Sequence, residues 1–476
     1  MNGWESAAPA ADAALNAPAR RFAIAMVAAC PFPSPRGTPL RIEKLAAALA
    51  ARGHEVHVVT YHLAVGDAPA GVHVHRTRAL PFRGALAPGP TLDKLAILDP
   101  LLVGRLRGVL ARHTIDVVHA HHYEGLAVAL AAARFAGHAA PPVVYDAHTL
   151  LASELPEYRL PMSRGAARGI GAFIDARLPR RAAHVVAVTE RLRARLVAEF
   201  GVAAARASVV PNGVERAFFD ACGRAIAARG SVEASPPPPP LPPSSLSASL
   251  SAALSAAPSA QASVRAATLV FSGNLAAYQG VDLMLEAFAA VRRERADVRL
   301  AVLPGAGAGV DAAALARVRD AAVRFGVADA IEIAACAAAE LPERLAAADI
   351  ALSPRPRADG LPMKVLNYMA AALPTIAFRD AAGPLEDGRT GVLVGDATAP
   401  AFARAIVRLL DDRALATRLG VAARETIAAR YTWEAAAASL ETLYASLVAP
   451  RSGAVGTPGH SRAAAGPGVG PIDVER

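Results

Sequence analysis

The chain has 476 residues, and its 50 Lys and Arg against 41 Asp and Glu give a formal net charge of +9. This length predicts two or three domains. The hydrophobic fraction is 54%, but much of it is alanine, and aromatic residues make up only 5%. Such a composition indicates an α-rich soluble protein and excludes a mainly disordered chain, a collagen and a disulfide scaffold. No apolar run reaches the ~18–20 residues that a membrane-spanning helix needs.

The three cysteines, Cys30, Cys222 and Cys336, are odd in number and far apart. This usage is typical of a reducing compartment and argues against structural zinc. Residues 20–30 resemble a secretion signal, but acidic residues precede them and the apolar run is short, so we expect no signal peptide. The sequence therefore predicts a cytoplasmic protein, and peripheral contact with the inner face of a membrane stays open.

The first half of the chain alternates strands and helices. After a loose tail at 1–19 comes an apolar strand at 22–27, a Pro-rich loop, a helix at 40–52 closed by Gly53, and a second strand at 55–60. Further strands at 116–119, 143–145, 185–188 and 208–210 alternate with helices, one of them at 125–135. This order is typical of a parallel sheet with crossover helices, and it predicts a first domain at 20–228.

Residues 229–265 are rich in Pro, Ser and Ala, and they predict a disordered linker. The alternation then resumes in a second domain at 266–430, followed by a terminal helix at 431–449 and a disordered tail at 450–476. Its strands are expected at 268–272, 299–303, 331–334, 350–353 and 375–377, and its helices at 281–293, 312–325, 340–347 and 362–372. The predicted fold class is therefore α/β, with two Rossmann-like, doubly wound domains facing across a cleft.

The segment 355–367 carries the most informative cluster of charge. Pro362 suits the first turn of a helix, whose free N–H groups form a ready anion site. Lys364 lies in the same turn, where the helix dipole disfavours a cation, and Arg355 and Arg357 lie just before it. A bound phosphate would resolve this mismatch, and three solvated bases on an Ala-rich surface are the alternative.

Two further groups lie where strands end. Gly273 and Gly280 flank a loop between a strand and a helix, where backbone N–H groups can approach phosphate, although such a loop is weak evidence alone. Histidines follow two predicted strands of the first domain. We expect His119 in the core, and His121 and His148 toward the cleft. No carboxylate or cysteine falls at a recognisable ligand spacing, so no metal site is predicted.

Several ordered motifs together resemble the retaining group 1 (family 4) glycosyltransferases, which have the GT-B fold. The resemblance covers roughly residues 21–448, interrupted by the linker. It rests on Arg52-Gly53-His54-Glu55-Val56, Asp116-Val117-Val118-His119-Ala120-His121, Val188-Thr189-Glu190, Val210-Pro211-Asn212-Gly213-Val214, Gly360-Leu361-Pro362, Asn367-Tyr368-Met369-Ala370-Ala371, Asp387-Gly388-Arg389-Thr390-Gly391 and Tyr431-Thr432-Trp433. It implies transfer of a sugar from a nucleotide-sugar to a glycan or lipid-linked acceptor, with retention, in polysaccharide or glycoconjugate biosynthesis. The nucleotide-sugar is a co-substrate, and no cofactor is expected.

The resemblance also implies residue roles. Gly37 lies in the first-domain loop near the diphosphate, and His148 and His121 match family histidines, the former placed at the donor sugar. Asp359 and Asn367 occupy the two ends of an E-x7-E motif that holds the transferred sugar and the ribose. Gly360 and Leu361 belong to the same motif, and residues 335–337 lie where the nucleobase loop would be.

This chain departs from the family pattern at the positions that supply charge. Asn274 and Gln279 stand where Arg and Lys are expected in the loop after the first strand of the second domain, and both motif glutamates are replaced. Neutral amides can hydrogen-bond a diphosphate but cannot neutralise it. We therefore hypothesise that Lys364, Arg355 or Arg357 takes over this role.

The sequence leaves two alternative functions open. The four altered positions also suit a non-catalytic partner in a glycan-assembly complex, and a nucleotide-sugar epimerase would share the fold. A nicotinamide dehydrogenase is disfavoured because the first loop lacks GxGxxG.

Partners follow from the charge pattern. The basic tract between Arg164 and Arg181 suits either an anionic membrane surface or an ordinary solvated helix face. Nucleic acid is not an expected partner, because no aromatic stacking platform accompanies the bases.

Overall fold

The computed structural model describes residues 20–34, 37–80, 91, 94–135, 140–158, 162–233, 266–305, 312–358 and 360–448. Within them lie two parallel sheets, one of seven strands in the order β3-β2-β1-β4-β5-β6-β7 and one of six in the order β10-β9-β8-β11-β12-β13. Both orders reverse direction beside the first strand of the sheet, which is the doubly wound topology. The predicted fold class is confirmed.

The first sheet is built from strands that alternate with helices, except that β3 follows β2 with no helix between them; a π-helical turn at Lys94–Leu98 precedes α2. Its strands are β1 (Ala23–Ala28), β2 (Glu55–Thr60), β3 (Val72–Arg76), β4 (Val117–His121), β5 (Val143–Ala147), β6 (His184–Ala187) and β7 (Ala207–Val209). Its helices are α1 (Gly37–Ala51), α2 (Asp99–Arg112), α3 (His122–Arg134), α4 (Leu151–Glu154), α5 (Arg164–Asp175) and α6 (Glu190–Ala198).

The second sheet follows the same pattern. Its strands are β8 (Thr268–Ser272), β9 (Arg299–Leu303), β10 (Ile331–Ile333), β11 (Ile350–Ser353), β12 (Thr375–Phe378) and β13 (Val392–Val394). The remaining helices are α7 (Arg216–Glu233), α8 (Val281–Glu294), α9 (Ala312–Arg324), α10 (Leu341–Ala346), α11 (Met363–Ala370), α12 (Ala399–Asp411), α13 (Arg413–Arg430) and α14 (Trp433–Leu447). No helix of the described residues combines the length and apolar character needed to cross a bilayer.

Local sequence accounts for many of these boundaries. Strands β1 and β8 are almost wholly buried apolar runs, as expected for parallel strands covered on both faces. The side chains of Thr189 and Thr432 accept hydrogen bonds from the backbone N–H groups of Leu192 and Ala435, and so cap α6 and α14. Gly53 follows α1 with φ +91°, a conformation that glycine adopts without steric cost.

The chain passes between the two domains at residues 210–214 and again at residues 431–433, and these two segments contact each other. Val214 pairs with Thr432 in a parallel bridge, and its N–H donates to the Tyr431 carbonyl over 2.8 Å. A Cβ placed on Gly213 would lie 2.3 Å from the Trp433 backbone nitrogen, so only glycine fits. Helix α14 then packs on the first sheet, where Leu440 joins the core.

Helix α7 differs from the sequence-based division of the chain. Residues up to 228 were expected in the first domain and 229–265 in a linker, but α7 runs to Glu233 and packs against the second sheet. Buried Cys222 joins a core cluster there, and Arg229 donates to the carbonyls of Ala346 and Ala348 over 2.9 and 2.7 Å. These contacts order a segment that looks featureless in sequence. Residues 1–19, 234–265 and 450–476, expected as tails and linker, lie outside the described residues, as does residue 449, the expected end of the terminal helix.

Several further elements differ from the sequence-based prediction. Strand β3 alternates Val and His at the sheet edge, and β13 has only three residues, so neither gave a clear apolar run. The basic tract forms α5 only as far as Asp175, and a 3-10 turn at Pro179–Arg181 follows, because Pro179 interrupts the helix. Helix α11 begins at Met363, and Pro362 takes the N-cap position before it.

Candidate active site

A cavity of about 170 Å³ lies between the two sheets, at the carboxyl ends of the first-sheet strands. Its walls come from both domains, as expected for ligands of open α/β sheets. The first domain contributes Gly37, Thr38, Leu40, Arg41, His148, Val188 and Asn212, and the opposite wall is formed by Gly360, Leu361 and Met363. Trp433, at the start of α14 in the first-domain core, completes the lining.

A buried ion pair underlies the first-domain wall. The Arg41 guanidinium, on α1, lies 2.9 Å from a carboxylate oxygen of Asp146 at the end of β5, and both side chains are at most 2% exposed. Arg41 also donates to the Asn212 side-chain oxygen and the Val210 carbonyl over 2.8 and 2.9 Å. Burial alone would raise the pKa of Asp146, but Arg41 and a hydrogen bond from His119 hold that pKa well below its usual range. Asp146 is therefore a fixed carboxylate that ties α1 to β5 and the chain crossing.

His148 lies directly above this carboxylate and lines the cavity. Its Nδ1 is 3.0 Å from the Thr38 hydroxyl, and its Nε2 is 3.5 Å from Asp146 Oδ1 without a hydrogen bond. Burial lowers the pKa of His148 to about 3, so the ring is neutral at physiological pH. A neutral imidazole with a buried, unpartnered nitrogen at the cavity wall can donate to or accept from a bound hydroxyl.

His121 does not reach the cavity, contrary to the expectation that it would face the cleft. It is the last residue of β4, fully enclosed beneath His148, and its Nδ1 lies 3.5 Å from Asp146 Oδ2. Burial lowers its pKa well below the usual histidine range. His119 is also buried, as predicted, and its Nε2 donates to Asp146 over 3.1 Å. Strand β4 places both histidines in the layer under the cavity, where His119 bonds Asp146 and neither ring nitrogen of His121 has a hydrogen-bond partner.

Across the cleft, Lys364 contacts the loop that lacks the expected cations. Its ammonium donates to the Gln279 side-chain oxygen over 2.8 Å and lies 4.0 Å from the centre of the Phe271 ring. The Gln279 amide in turn donates to Asn274 over 3.2 Å. Burial, reinforced by the positive charge of Arg355, lowers the pKa of Lys364 to about 7. The structure thus brings together three residues that the sequence predicts in the nucleotide-sugar site, Lys364, Gln279 and Asn274, from two separate segments.

The two arginines near Lys364 make different contacts. The Arg355 guanidinium stacks over the Tyr278 ring at 4.9 Å and donates to the Arg357 carbonyl over 2.7 Å. The Arg357 side chain is 86% exposed and lies 4.0 Å from Asp380. Of the three cations considered from sequence, two contact the loop between Gly273 and Gly280: Lys364 hydrogen-bonds Gln279, and Arg355 stacks on Tyr278.

Glycines permit close approach around this site. Gly273 has φ +117°, and a Cβ there would lie 3.4 Å from Lys364 Cε. Gly280 has φ +75°, and a Cβ would lie 2.2 Å from the Pro354 carbonyl oxygen. Gly360 faces the first domain, and a Cβ there would lie 3.0 Å from the His148 carbonyl oxygen. Gly273 therefore needs glycine for its backbone conformation, Gly360 for close packing, and Gly280 for both reasons.

The remaining residues predicted from sequence make fewer contacts that indicate a role in the site. Gly37 begins α1 at the cavity wall, and Leu361 lines the opposite side. Asn367 lies on α11, about one turn after Lys364, and is half-buried. Asp359 lies outside the described residues. Cys336 is buried, and its N–H donates to the Pro304 carbonyl over 2.8 Å.

Sequence reasoning missed Arg41, Asp146 and Thr38 as members of the site. A signal for the ion pair was present, because Arg41 lies one turn before Leu45 on the apolar face of α1, and Asp146 lies in an apolar strand. Charged residues are almost never buried singly, so two such interruptions point to a pair. Only the fold shows that the two meet.

One set of metal-ligating atoms belongs to this site. A nitrogen from each of His119 and His121 and an oxygen of Asp146 lie within 4.8 Å of one another. The Arg41 guanidinium already contacts the same carboxylate and would repel a divalent ion. The expectation of a metal-independent site stays a prediction.

Comparison with known proteins identifies the class. The profile described as Glycosyltransferase Family 4 matches residues 35–218, and the profile described as Glycosyl transferases group 1 matches residues 266–412. Together with the paired sheets and the interdomain cavity, these matches define a glycosyltransferase of GT-B architecture. The chain belongs to the group 1, family 4 glycosyltransferases.

Curated relatives extend along most of the chain. It is 28% identical over 442 residues to the D-inositol 3-phosphate glycosyltransferase of Kineococcus radiotolerans, covering 87% of this chain and 92% of that protein. It is also 28% identical over 367 residues to the GDP-mannose-dependent alpha-(1-6)-phosphatidylinositol monomannoside mannosyltransferase of Mycobacterium tuberculosis, covering 75% and 80%.

Solved structures share the fold at low sequence identity. Sucrose-phosphate synthase from Thermosynechococcus elongatus superposes with a TM-score of 0.67 at 19% identity, covering 90% of this chain and 99% of that one. HepE of Anabaena in complex with UDP gives a TM-score of 0.61 at 16% identity, covering 90% and 100%. These likenesses confirm the GT-B fold.

Proposed function

We propose that this glycosyltransferase takes its sugar from a nucleotide-sugar and transfers it, with retention, to a glycan or lipid-linked acceptor. The observation that carries the proposal is the cleft itself, with neutral His148 on one wall and, in the opposite domain, Lys364 bound to the glycine loop. The Mycobacterium relative is named for a GDP-mannose donor and a phosphatidylinositol mannoside, which supports a nucleotide-sugar and a lipid-linked class of acceptor.

In the proposed reaction the anomeric carbon–oxygen bond to the diphosphate breaks, and a bond to the acceptor oxygen forms on the same face of the sugar. The acceptor hydroxyl proton passes to an oxygen of the departing diphosphate, so no side chain needs to act as the base. Lys364 would stabilise the charge that develops on the leaving group, and His148 would hydrogen-bond the sugar. His121, which the sequence assigns a catalytic role, would instead be a positioning residue, because its buried ring packs 5.7 Å from the His148 ring and does not reach the cavity.

The surface of α5 supports a membrane-facing acceptor. Ile170 and Phe173 are 45% and 59% exposed on the same helix, and the Arg177 guanidinium lies 3.9 Å from the centre of the Phe173 ring. Arg164 and Arg168 are exposed beside them. Apolar side chains ringed by arginines suit the headgroup region of an anionic leaflet.

A vesicle assay tests the membrane surface. The Ile170→Ser/Phe173→Ser variant should lose most co-sedimentation with phosphatidylglycerol vesicles, whereas Val421→Ser should not, because that equally exposed apolar residue lies on α13 of the other domain. Equal binding of the wild type to phosphatidylglycerol and to neutral phosphatidylcholine vesicles, or no binding at all, would remove the membrane part of the proposal.

Donor use is tested directly with UDP-, GDP- and ADP-sugars. We expect one nucleotide series to raise the melting temperature by mass action and to release its nucleoside diphosphate faster when an acceptor is present. Appearance of an epimerised sugar without acceptor would identify an epimerase instead. If no donor shifts the melting temperature and none is cleaved, the protein is a non-catalytic member of the family.

A further inference from the structure

A second histidine cluster lies outside the cleft, at the opposite edge of the first sheet. It consists of His57 on β2, His75 on the edge strand β3, and His113, which caps the C-terminal end of α2. One ring nitrogen from each of the three lies within 4.8 Å of the others. His57 pairs with Ala25 of β1, three residues before Thr60 ends its strand, so the cluster sits about 10 Å back from the cleft edge of the sheet.

The fold itself makes the three rings converge. In the parallel register Val59 pairs with His75, so His57 and His75 are diagonal neighbours on adjacent strands. Helix α2 covers the same side of the sheet, where Leu106 and Val109 join the core with Val59. The last turn of α2 then delivers His113 to a ring-centroid distance of 4.5 Å from His57.

Hydrogen bonding prepares His57 to act as a ligand. Its Nε2 lies 3.0 Å from a carboxylate oxygen of Glu55, to which it donates, and its Nδ1 lies 2.9 Å from Nε2 of His75. A carboxylate that holds the far nitrogen of an imidazole fixes the tautomer and makes the near nitrogen a better metal ligand. Glu55 therefore orients the His57 lone pair toward the other two rings.

Charge and access also suit a metal ion. His57 is 1% exposed, whereas His75 and His113 are half-buried, which leaves a path from solvent. Arg105 lies close enough to His75 to oppose added positive charge, and the exposed Glu55 carboxylate offsets it.

We propose that His57, His75 and His113 form a binding site for a divalent transition-metal ion that prefers nitrogen ligands, such as Zn²⁺. Tetrahedral zinc with bonds of ~2.0–2.1 Å holds its nitrogens roughly 3.4 Å apart, and small rotations of the half-exposed rings of His75 and His113 reach that spacing. Water completes the coordination. The ion links the edge strand β3 and the end of α2 to β2, and it takes no part in sugar transfer.

Calorimetric titration of the full-length, EDTA-treated protein with ZnCl₂ tests this site. The melting temperature is measured with and without Zn²⁺, and the absorption spectrum of bound Co²⁺ reports the coordination geometry. We expect one equivalent to bind, the melting temperature to rise, and Co²⁺ to give a tetrahedral spectrum. His75→Gln and His113→Gln should each weaken Zn²⁺ binding at least tenfold. His184→Gln should leave it unchanged, because that histidine lies on β6 and bonds Ser208.

Three outcomes overturn the assignment. They are no saturable zinc binding by the wild type, binding that both cluster variants retain, and loss of binding in His121→Gln instead, which would place the ion in the cleft. Circular dichroism of the two variants distinguishes loss of a ligand from loss of fold, and His113 is suited to this control because it lies at a half-exposed helix end.

Discussion

Asp146 is the residue around which the polar side chains of the first-domain wall are arranged. It accepts from Arg41 and His119, and His121 and His148 lie 3.5 Å from its oxygens. A carboxylate this deeply buried is tolerated only while its positive partner remains, because an uncompensated charge in the interior is costly. The geometry of His148 therefore depends on Arg41, which lies on another element.

Arg41→Met should destabilise the protein by about 3–5 kcal/mol, because it leaves the Asp146 charge buried without its partner. Lys44→Met on the same helix should cost less than about 1 kcal/mol, because Lys44 makes only partly exposed ion pairs with Glu43 and Glu215. Urea unfolding of both variants checks the difference. Equal losses would contradict the special status of the buried pair.

Lys364→Met should lower kcat/KM for sugar transfer by about 10²–10³-fold, the usual cost of removing one group that stabilises developing charge. Gln279 lies 2.8 Å from the ammonium, so Gln279→Lys in the Lys364→Met background should recover at least tenfold by returning a cation to the loop. Gln279→Met in that background is the matched control and should recover nothing. An unchanged rate in Lys364→Met, or equal rates in the two double variants, would exclude the charge role.

Donor affinity should depend on pH through Lys364. Its pKa of about 7 lies below the ordinary lysine value of 10.5, so the free protein loses this positive charge as the pH rises above about 7. A bound pyrophosphate favours the protonated form, and affinity for an intact nucleotide-sugar should fall up to ~10-fold per pH unit above that point. The same shift makes the folded protein more stable as the pH rises from about 7 toward 10.5, because the unfolded chain then binds more protons.

Calorimetric titrations of donor between about pH 6 and pH 9, which bracket the lowered lysine pKa, measure this dependence. Lys364→Met should bind weakly and with little pH dependence over the same range. A wild-type affinity that is constant with pH would show that Lys364 does not contact the diphosphate.

At the scale of elements, the chain crossing between residues 210–214 and 431–433 fixes how the domains join. Gly213 packs against the backbone of Thr432 and Trp433, and Val214 pairs with Thr432. Asn212 also bonds Arg41, so the crossing is tied directly to the cavity wall. The Pro-Asn-Gly sequence at this point thus has a packing reason for its glycine.

Gly213→Ala should lower the free energy of unfolding by about 1–3 kcal/mol, because its Cβ would lie 2.3 Å from the Trp433 backbone nitrogen, which cannot yield as a side chain could. Gly104→Ala, within α2, places its Cβ in open space and should be neutral or slightly stabilising. Thermal unfolding of the two variants compares them. A Gly213→Ala protein as stable as the wild type would show that the crossing is loosely packed.

At the scale of the molecule, the last described helix belongs to the first sheet although the second sheet precedes it in sequence. Leu440 and Tyr444 of α14 are fully buried in the core that contains Ile24 and Ile42. The Tyr444 hydroxyl also lies 2.5 Å from Nδ1 of His119, which bonds Asp146. The C-terminal helix thereby reaches the polar network of the active site.

Leu440→Ala should cost about 2–5 kcal/mol, since it opens a cavity in a core shared by the two ends of the chain. Thr442→Ala, exposed on the same helix, should change stability by less than about 0.5 kcal/mol. Urea denaturation followed by far-UV circular dichroism measures both. A small loss for Leu440→Ala would mean that α14 contributes little to the first domain.

Comparison of sequence and structure shows where local patterns suffice. The strands at 55–60, 268–272, 299–303 and 350–353 have the predicted bounds, because buried parallel strands are continuous apolar runs. Strand β3 was missed because its Val-His alternation at a sheet edge lacks such a run. Helix α7 was not predicted, and its residues were divided between the first domain and the linker, because its partner, the α10 region, lies more than a hundred residues away.

The amino-acid order alone determined the alternation of strands and helices, the division into two Rossmann-like halves, and the family, because these depend on short-range periodicity and ordered motifs. It also indicated three residues, Lys364, Arg355 and Arg357, that could replace the cations absent at Asn274 and Gln279. Only the tertiary structure showed that Lys364 bonds Gln279, that His121 lies buried beneath His148, and that Arg41 pairs with Asp146. Those contacts join side chains that are far apart in sequence and meet near the carboxyl ends of the strands. A local sequence pattern carries no information on which distant residues will meet there.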